Sequence, residues 1–191
     1  MIPKIKKILY ATDLSKNSAY AFYYAVDMAK KHDAEIIILH AMEPLSASAF
    51  GTATEKAEHS QHEVSMEVIK NRIRKFCEKV EEISNLACLT LVTKILVQVG
   101  YPPEEILKAA DEEGCDLIVL GSHGKGFLRQ TFLGSVSGSV LARARKPVFI
   151  IPLPSEKISI WGEMWRIGPS IEERDRAFNN PVSIRMPSSS S

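Results

Sequence analysis

The chain reads as an α/β protein built on a parallel sheet of five strands with helices on both faces. Two observations predict this. Short apolar runs alternate with longer stretches whose apolar residues recur at helical spacing, so the connections are helix-length crossovers and not hairpins. Residues 36–39 and 117–120 are apolar without interruption, as strands are when both faces of their sheet are covered.

The elements follow in order. A first strand is expected at residues 5–10, ending in Ala11-Thr12-Asp13. Over residues 15–31, Ala19, Phe22, Tyr23, Val26 and Ala29 share one helical face. A second strand covers 35–40. Residues 42–54, with Pro44, Gly51 and many small side chains, have loop composition. A long helix over 55–84 carries Ile69, Ile73, Phe76, Cys77, Val80 and Ile83 on one stripe, and a third strand is expected at 89–99. Pro102 or Pro103 opens the next helix, Glu104 and Glu105 occupy its first turn, and Gly114 lies past its end. Proline at the start, acid against the dipole and glycine at the exit are consistent helix punctuation. A strand at 116–120, a helix at 135–145 and a fifth strand at 147–151 complete the series.

Composition narrows the function. At 191 residues with 45% hydrophobic and 25% charged side chains, the chain is globular. Its net charge of +1 excludes a bulk basic field for nucleic acid or an anionic membrane. The apolar runs fall far below the roughly 20 residues of a membrane span. No secretory signal is visible at the N-terminus, and Cys77, Cys88 and Cys115 show neither CxxC spacing nor a disulfide framework, so a cytoplasmic location is expected. The strand–helix pattern stops after Pro152. Residues 1–152 are therefore expected to form the domain and 153–191 a C-terminal extension ending in a run of serines expected to be disordered. Within the extension Trp161, Met164 and Trp165 stand at i, i+3, i+4, a short element suited to covering its own subunit or to docking on a second subunit or another protein, docking within the homodimer being favoured.

The segment that carries chemistry runs from Gly121 to Ser135 and reads G-x2-G-x9-G-S. At this chain's glycine and hydroxyl content that pattern is expected by chance about 0.003 times. Gly121 and Gly124 lack a Cβ, so their backbone can approach an anion closely. Gly134 and Ser135 place amides and a hydroxyl at a helix N-terminus, where the macrodipole favours negative charge, and Val136 and Ser137 add a further amide and a further hydroxyl. The pattern is neither a P-loop nor a dinucleotide fingerprint: G-x4-G-K-[ST] is absent, and Arg129 stands where the latter wants its third glycine.

These pieces resemble the universal stress protein family, in its ATP-binding branch. The resemblance runs from Lys6 to Pro152 and is carried by residues 7–13 at the first strand, Leu39-His40-Ala41 at the second, Gly121-Ser122-His123-Gly124 with Gly134-Ser135-Val136-Ser137, and Lys146-Pro147-Val148. It implies strand order 3-2-1-4-5 and a homodimer paired through the fifth strand, residues 147–151. With that order the switch point lies between strands one and four, so Asp13 and the glycine loop line one crevice. The resemblance places Ala11, Thr12 and Asp13 under an adenosine, with backbone bonds from Ala41 to adenine. Gly121, His123 and Gly124 follow the ribose and α-phosphate, and Gly134, Ser135, Val136 and Ser137 hold the outer phosphates, with Mg2+ carried mainly by those phosphates. Ala11 stands where relatives commonly have proline.

Plainer readings stand beside these. Asp13 could cap the helix near Ser15, His123 could be a solvated loop residue, and Lys125 and Arg129 could be solvated cations. His59 and His62 have metal-compatible spacing but no third ligand. His40 is expected to be a hydrogen-bonded core residue, and the cysteines to be packing residues without nucleophilic roles. The function expected is an ATP-binding regulatory module of the stress response, with absent or slow hydrolysis and an unidentified protein partner. The alternatives are a nucleotide-independent dimeric adaptor acting through its surface and Trp-bearing tail, and a weak ATP hydrolase. No residue is assigned a catalytic role, because no carboxylate or histidine is evidently placed to activate water.

Overall fold

The computed structural model describes residues 3–43, 55–84, 88–124 and 133–152, with backbone alone at 16–17, 55–65 and 83–84. In chain order the elements are β1 (Lys7–Ala11), α1 (Lys16–His32), β2 (Glu35–Met42), α2 (Glu55–Ser84), α3 (Cys88–Leu91), β3 (Val92–Val99), α4 (Pro102–Glu112), β4 (Leu117–Gly121), α5 (Ser135–Arg143) and β5 (Val148–Ile151). All described strand pairs are parallel, and the order is β3-β2-β1-β4-β5, as the resemblance implied.

The uninterrupted apolar runs divide between two cores because successive strand residues face opposite ways. Ile8, Tyr10, Ile36, Ile38, Leu117 and Val119 pack with α1, α2 and α3 on one face, through Phe22, Ala25, Val26, Ile73, Cys77, Val80 and Cys88. Leu9, Ala11, Ile37, Leu39, Ile118 and Leu120 pack with α4 and α5 on the other, through Ile106, Ala109, Ala110 and Val140. Burying both faces of β1, β2 and β4 is what requires helices on each side. On α1 the buried face also takes Ala21 and Ala25, while Tyr23 is half-buried.

Four boundaries differ from expectation by two residues or more: β1 begins at Lys7, β2 runs on to Met42, and the other two lie at β3 and α5. Residues 88–91 form a helical turn where a strand was expected. β3 can pair only with β2, and that ladder begins at Ile36↔Val92, so residues before Val92 have no strand to join. The turn seats Cys88 fully buried in the core instead. α5 stops at Arg143, two residues early, as Ala144 turns extended toward β5. Gly114 ends α4 at φ 63°, a conformation that glycine adopts without steric cost.

No helix among the described residues is long and apolar enough to cross a membrane. The Trp161–Met164–Trp165 element and the terminal serines fall outside the described residues, as do Lys125, Gly126 and Arg129. His59 and His62 lie on α2, where only the backbone is described.

Candidate functional site

The strand order reverses at the β1–β4 boundary, and the chain leaves the C-terminal ends of both strands there. Ligands of open α/β sheets bind at such a point. Two loops meet in this crevice: the turn after β1 with Thr12 and Asp13, and the segment after β4 with Ser122, His123 and Gly124.

The β1 turn is tightly built. Thr12 donates its N–H to the Leu39 carbonyl (2.9 Å). Leu14 sits at φ 61°, a left-handed conformation that costs a branched residue roughly 1–2 kcal/mol. Side chains hold it there: Thr12 Oγ1 accepts the Leu14 N–H (3.0 Å), Asp13 Oδ1 accepts the Ser15 N–H (2.9 Å), and the N-cap Ser15 Oγ accepts the Ser18 N–H (3.2 Å). The cap of α1 is thus Ser15, with Asp13 bracing the turn before it. Below, fully buried Tyr10 donates its hydroxyl to the Ser18 carbonyl (2.5 Å), and burial pushes its phenol pKa up, so it stays protonated.

The β4 segment returns on itself. Ser122 donates its N–H to the Ile151 carbonyl (2.7 Å) and accepts the Gly134 N–H on its own carbonyl (2.8 Å). One buried serine therefore fastens the two ends of the glycine-bearing connection and ties them to β5. Its hydroxyl lies 3.1 Å from His123 Nδ1. Sequence reasoning passed over Ser122; the available signal was a small polar residue directly after the strand-ending glycine.

Close approach favours glycine at two places. A Cβ on Gly124 would stand 2.5 Å from Asp13 Oδ2, so a larger residue there would displace the carboxylate that reaches across from the β1 turn. A Cβ on Gly134 would stand 3.2 Å from the Ser122 carbonyl oxygen and 3.4 Å from His123 Cα. Gly134 is therefore glycine for the sake of the neighbouring backbone, as well as for any ligand above it.

Gly134 is the N-cap of α5, at φ −66° and ψ 159°, and it supplies no side-chain cap. The first-turn amides of Ser135, Val136 and Ser137 have no intrahelical acceptor, as in any α-helix. Among the described residues no side chain caps them. Ser135 is exposed and Val136 half-buried. Ser137 departs from expectation: its hydroxyl is buried and donates to the Gly121 carbonyl (2.8 Å), so it joins α5 to β4 and only its amide is left for a ligand.

On the flank, Ala11 is buried beneath the turn, and Ala41 is a half-buried β2 residue beside His40. His40 is buried with Nδ1 2.7 Å from the Thr12 carbonyl, the hydrogen-bonded core residue expected. All three cysteines are buried; burial pushes Cys77 up to about 12 and Cys115 up to about 11, which suppresses the thiolate. Among the described residues no three His, Cys, Asp or Glu side chains cluster as metal ligands.

The sequence profile of the Universal stress protein family matches residues 4–152. Universal stress protein MJ0577 of Methanocaldococcus jannaschii is 30% identical over 158 residues, covering 76% of this chain and 94% of its own length. Universal stress protein YxiE of Bacillus subtilis is 35% identical over 147 residues, covering 76% and 97%. The solved structure of MJ0577 superposes with a TM-score of 0.60 at 28% identity, over 81% of this chain and 100% of that one. A universal stress protein solved in complex with cAMP superposes at 0.53 and 23% identity, over 78% and 98%, a likeness of fold alone. Profile, relatives and strand order agree: the chain belongs to the universal stress protein family.

Proposed function

We propose that this protein is a nucleotide-binding regulatory module of the stress response that holds ATP, with Mg2+ on the phosphates, in the β1–β4 crevice. The observation that carries the reading is the α5 N-terminus. It has three first-turn amides, a side-chain-free cap at Gly134, and a fixed position beside the Asp13–Gly124 contact at the switch point. Residues present fit the group. Gly134, Ser135, Val136 and the Ser137 amide face the outer phosphates, and Gly121, His123 and Gly124 follow the ribose and α-phosphate. Asp13, as a carboxylate, turns to a ribose hydroxyl or the adenine amino group, and Ala11, Thr12 and Ala41 form the nucleoside wall. Nothing in this set is poised to activate water, so hydrolysis is absent or slow.

The same reading makes the protein a cytoplasmic homodimer. Among the described strands β5 pairs on one side only, with β4, and presents a partly exposed Phe149. A second copy adding through β5 would complete that edge.

The test is to extract the purified protein with acid and chromatograph the supernatant, then measure thermal unfolding with and without MgATP. Adenine nucleotide in the extract is expected, or an upward shift; a ligand at a hundred times its Kd adds about 2.7 kcal/mol. Neither signal would remove the nucleotide reading and leave the adaptor. Multiple ATP turnovers abolished by a crevice substitution would instead make the protein a hydrolase.

A further inference from the structure

The turn carrying Asp13 is gripped from β2 by a buried side chain. Ser18 Oγ donates its one proton to the Ser15 carbonyl (2.9 Å). In the 2.9 Å contact between the Thr12 and Ser18 hydroxyls, Thr12 is therefore the donor, while its oxygen also accepts the Leu14 N–H. The Thr12 hydroxyl is thus committed to protein, and its N–H to Leu39. Its carbonyl meets His40 Nδ1 at 2.7 Å; a carbonyl can only accept, so Nδ1 carries the proton. Consecutive β2 residues, one by backbone and one by side chain, hold both ends of Thr12. The next residues are the bracing Asp13 and the left-handed Leu14. A backbone held in a sparsely populated conformation persists only where its surroundings over-determine it.

We propose that His40 is a positioning residue for the nucleoside half of the site: its Nδ1–H fixes Thr12 and the strained turn after it, so that the Asp13 carboxylate stays beside Gly124. The proposal rests on the nucleotide reading above. It assigns His40 no contact with ligand, and it separates the two halves of the crevice, because the α5 amides do not depend on this bond.

The experiment titrates the full-length protein and its His40→Asn, His40→Gln and His40→Leu variants with adenosine and with MgATP, alongside thermal unfolding of each. Asparagine puts an N–H donor where Nδ1 stands; glutamine reaches to the far ring nitrogen, and leucine has no donor. His40→Asn is expected within about threefold of the parent. His40→Gln and His40→Leu are expected to weaken adenosine and ATP by the same factor, about tenfold, while still unfolding cooperatively. Equal affinity in a folded His40→Leu or His40→Gln, loss for ATP but not adenosine, or His40→Asn as weak as His40→Leu would overturn the proposal. Should the variants not fold, the ring 15N signals of the parent decide. An Nδ1–H tautomer in the free and nucleotide-bound protein is expected, and an Nε2–H tautomer overturns it. A parent that binds neither ligand fails the nucleotide reading and this proposal together, a result distinct from a binding parent with indifferent variants.

Discussion

Helices α1 and α5 both start at the C-terminal edge of the sheet, one after β1 and the other after β4, yet their first turns are finished in opposite ways. At α1 the N-cap side chain takes a first-turn amide, Ser18 N–H to Ser15, and the two amides just before the helix also go to side chains, Leu14 N–H to Thr12 and Ser15 N–H to Asp13. At α5 the cap is Gly134, and among the described residues no side chain closes the turn. The α1 start is closed by its own cap and by the side chains that hold the strained turn before it, whereas the cap of α5 brings no side chain to its first turn. Equivalent ends of one fold thus do different work, and what divides them is whether the residue at the cap has a side chain.

The largest expected effect comes from making α5 resemble α1. Gly134→Asp supplies a carboxylate that competes for the first-turn amides and repels phosphate. ATP should bind more than a hundredfold more weakly, about 2.7 kcal/mol by calorimetric titration, with adenosine within threefold. Because a Cβ here presses on the Ser122 carbonyl, Gly134→Ala serves as the steric control, and its ATP loss should be only several-fold.

Next is Ser137→Ala. It removes the bond to the Gly121 carbonyl and leaves that acceptor without its partner, so chemical unfolding should show a loss of about 1–2 kcal/mol together with a few-fold weaker ATP binding. The contrasting change is Ser15→Ala, which uncaps α1 and loosens the turn before it: about 1 kcal/mol of stability should go, and adenosine and ATP should weaken by the same factor. A Ser15→Ala protein that lost ATP binding but kept adenosine would erase the distinction between the two ends.

The sequence made the core of this fold legible because burial of both sheet faces writes itself as unbroken apolar runs, and residues 36–39 and 117–120 are just that. It made the start of α5 legible because Gly134-Ser135 after a strand-ending glycine segment marks a helix entry, which the structure places at Ser135. The failures share one cause, dependence on distant partners. Residues 89–91 look strand-like alone, but a strand needs a paired neighbour, and the β2–β3 ladder begins only at Ile36↔Val92. Ser137 looks like a phosphate hydroxyl until β4 brings the Gly121 carbonyl to it. Ser122 and His40 act through Ile151 and Thr12, contacts that no local pattern announces. Strand order itself came from family resemblance, since periodicity says nothing about which strand lies beside which.

The smallest expected effect is no effect at all, in the cores beneath the two ends. Cys77 lies under α1 and Cys115 on the α4–α5 face, both buried. With folded pKa values raised from 9.0 to about 12 and about 11, the native protein should resist iodoacetamide at pH 8 and label fully only in denaturant. The folded state holds these protons more tightly than the unfolded chain. Their contribution to stability is therefore complete below pH 9 and is lost as pH rises toward those values, which unfolding curves between pH 8 and 11 would register.

The most direct measurement is a titration of 15N-labelled protein with MgATP, following backbone amides at both helix starts. The largest shifts are expected at Gly134, Ser135, Val136 and Ser137, with the Ser15 and Ser18 amides, already bonded within the protein, scarcely moving. Shifts concentrated at the start of α1, or none at α5 at saturating nucleotide, would contradict the nucleotide reading.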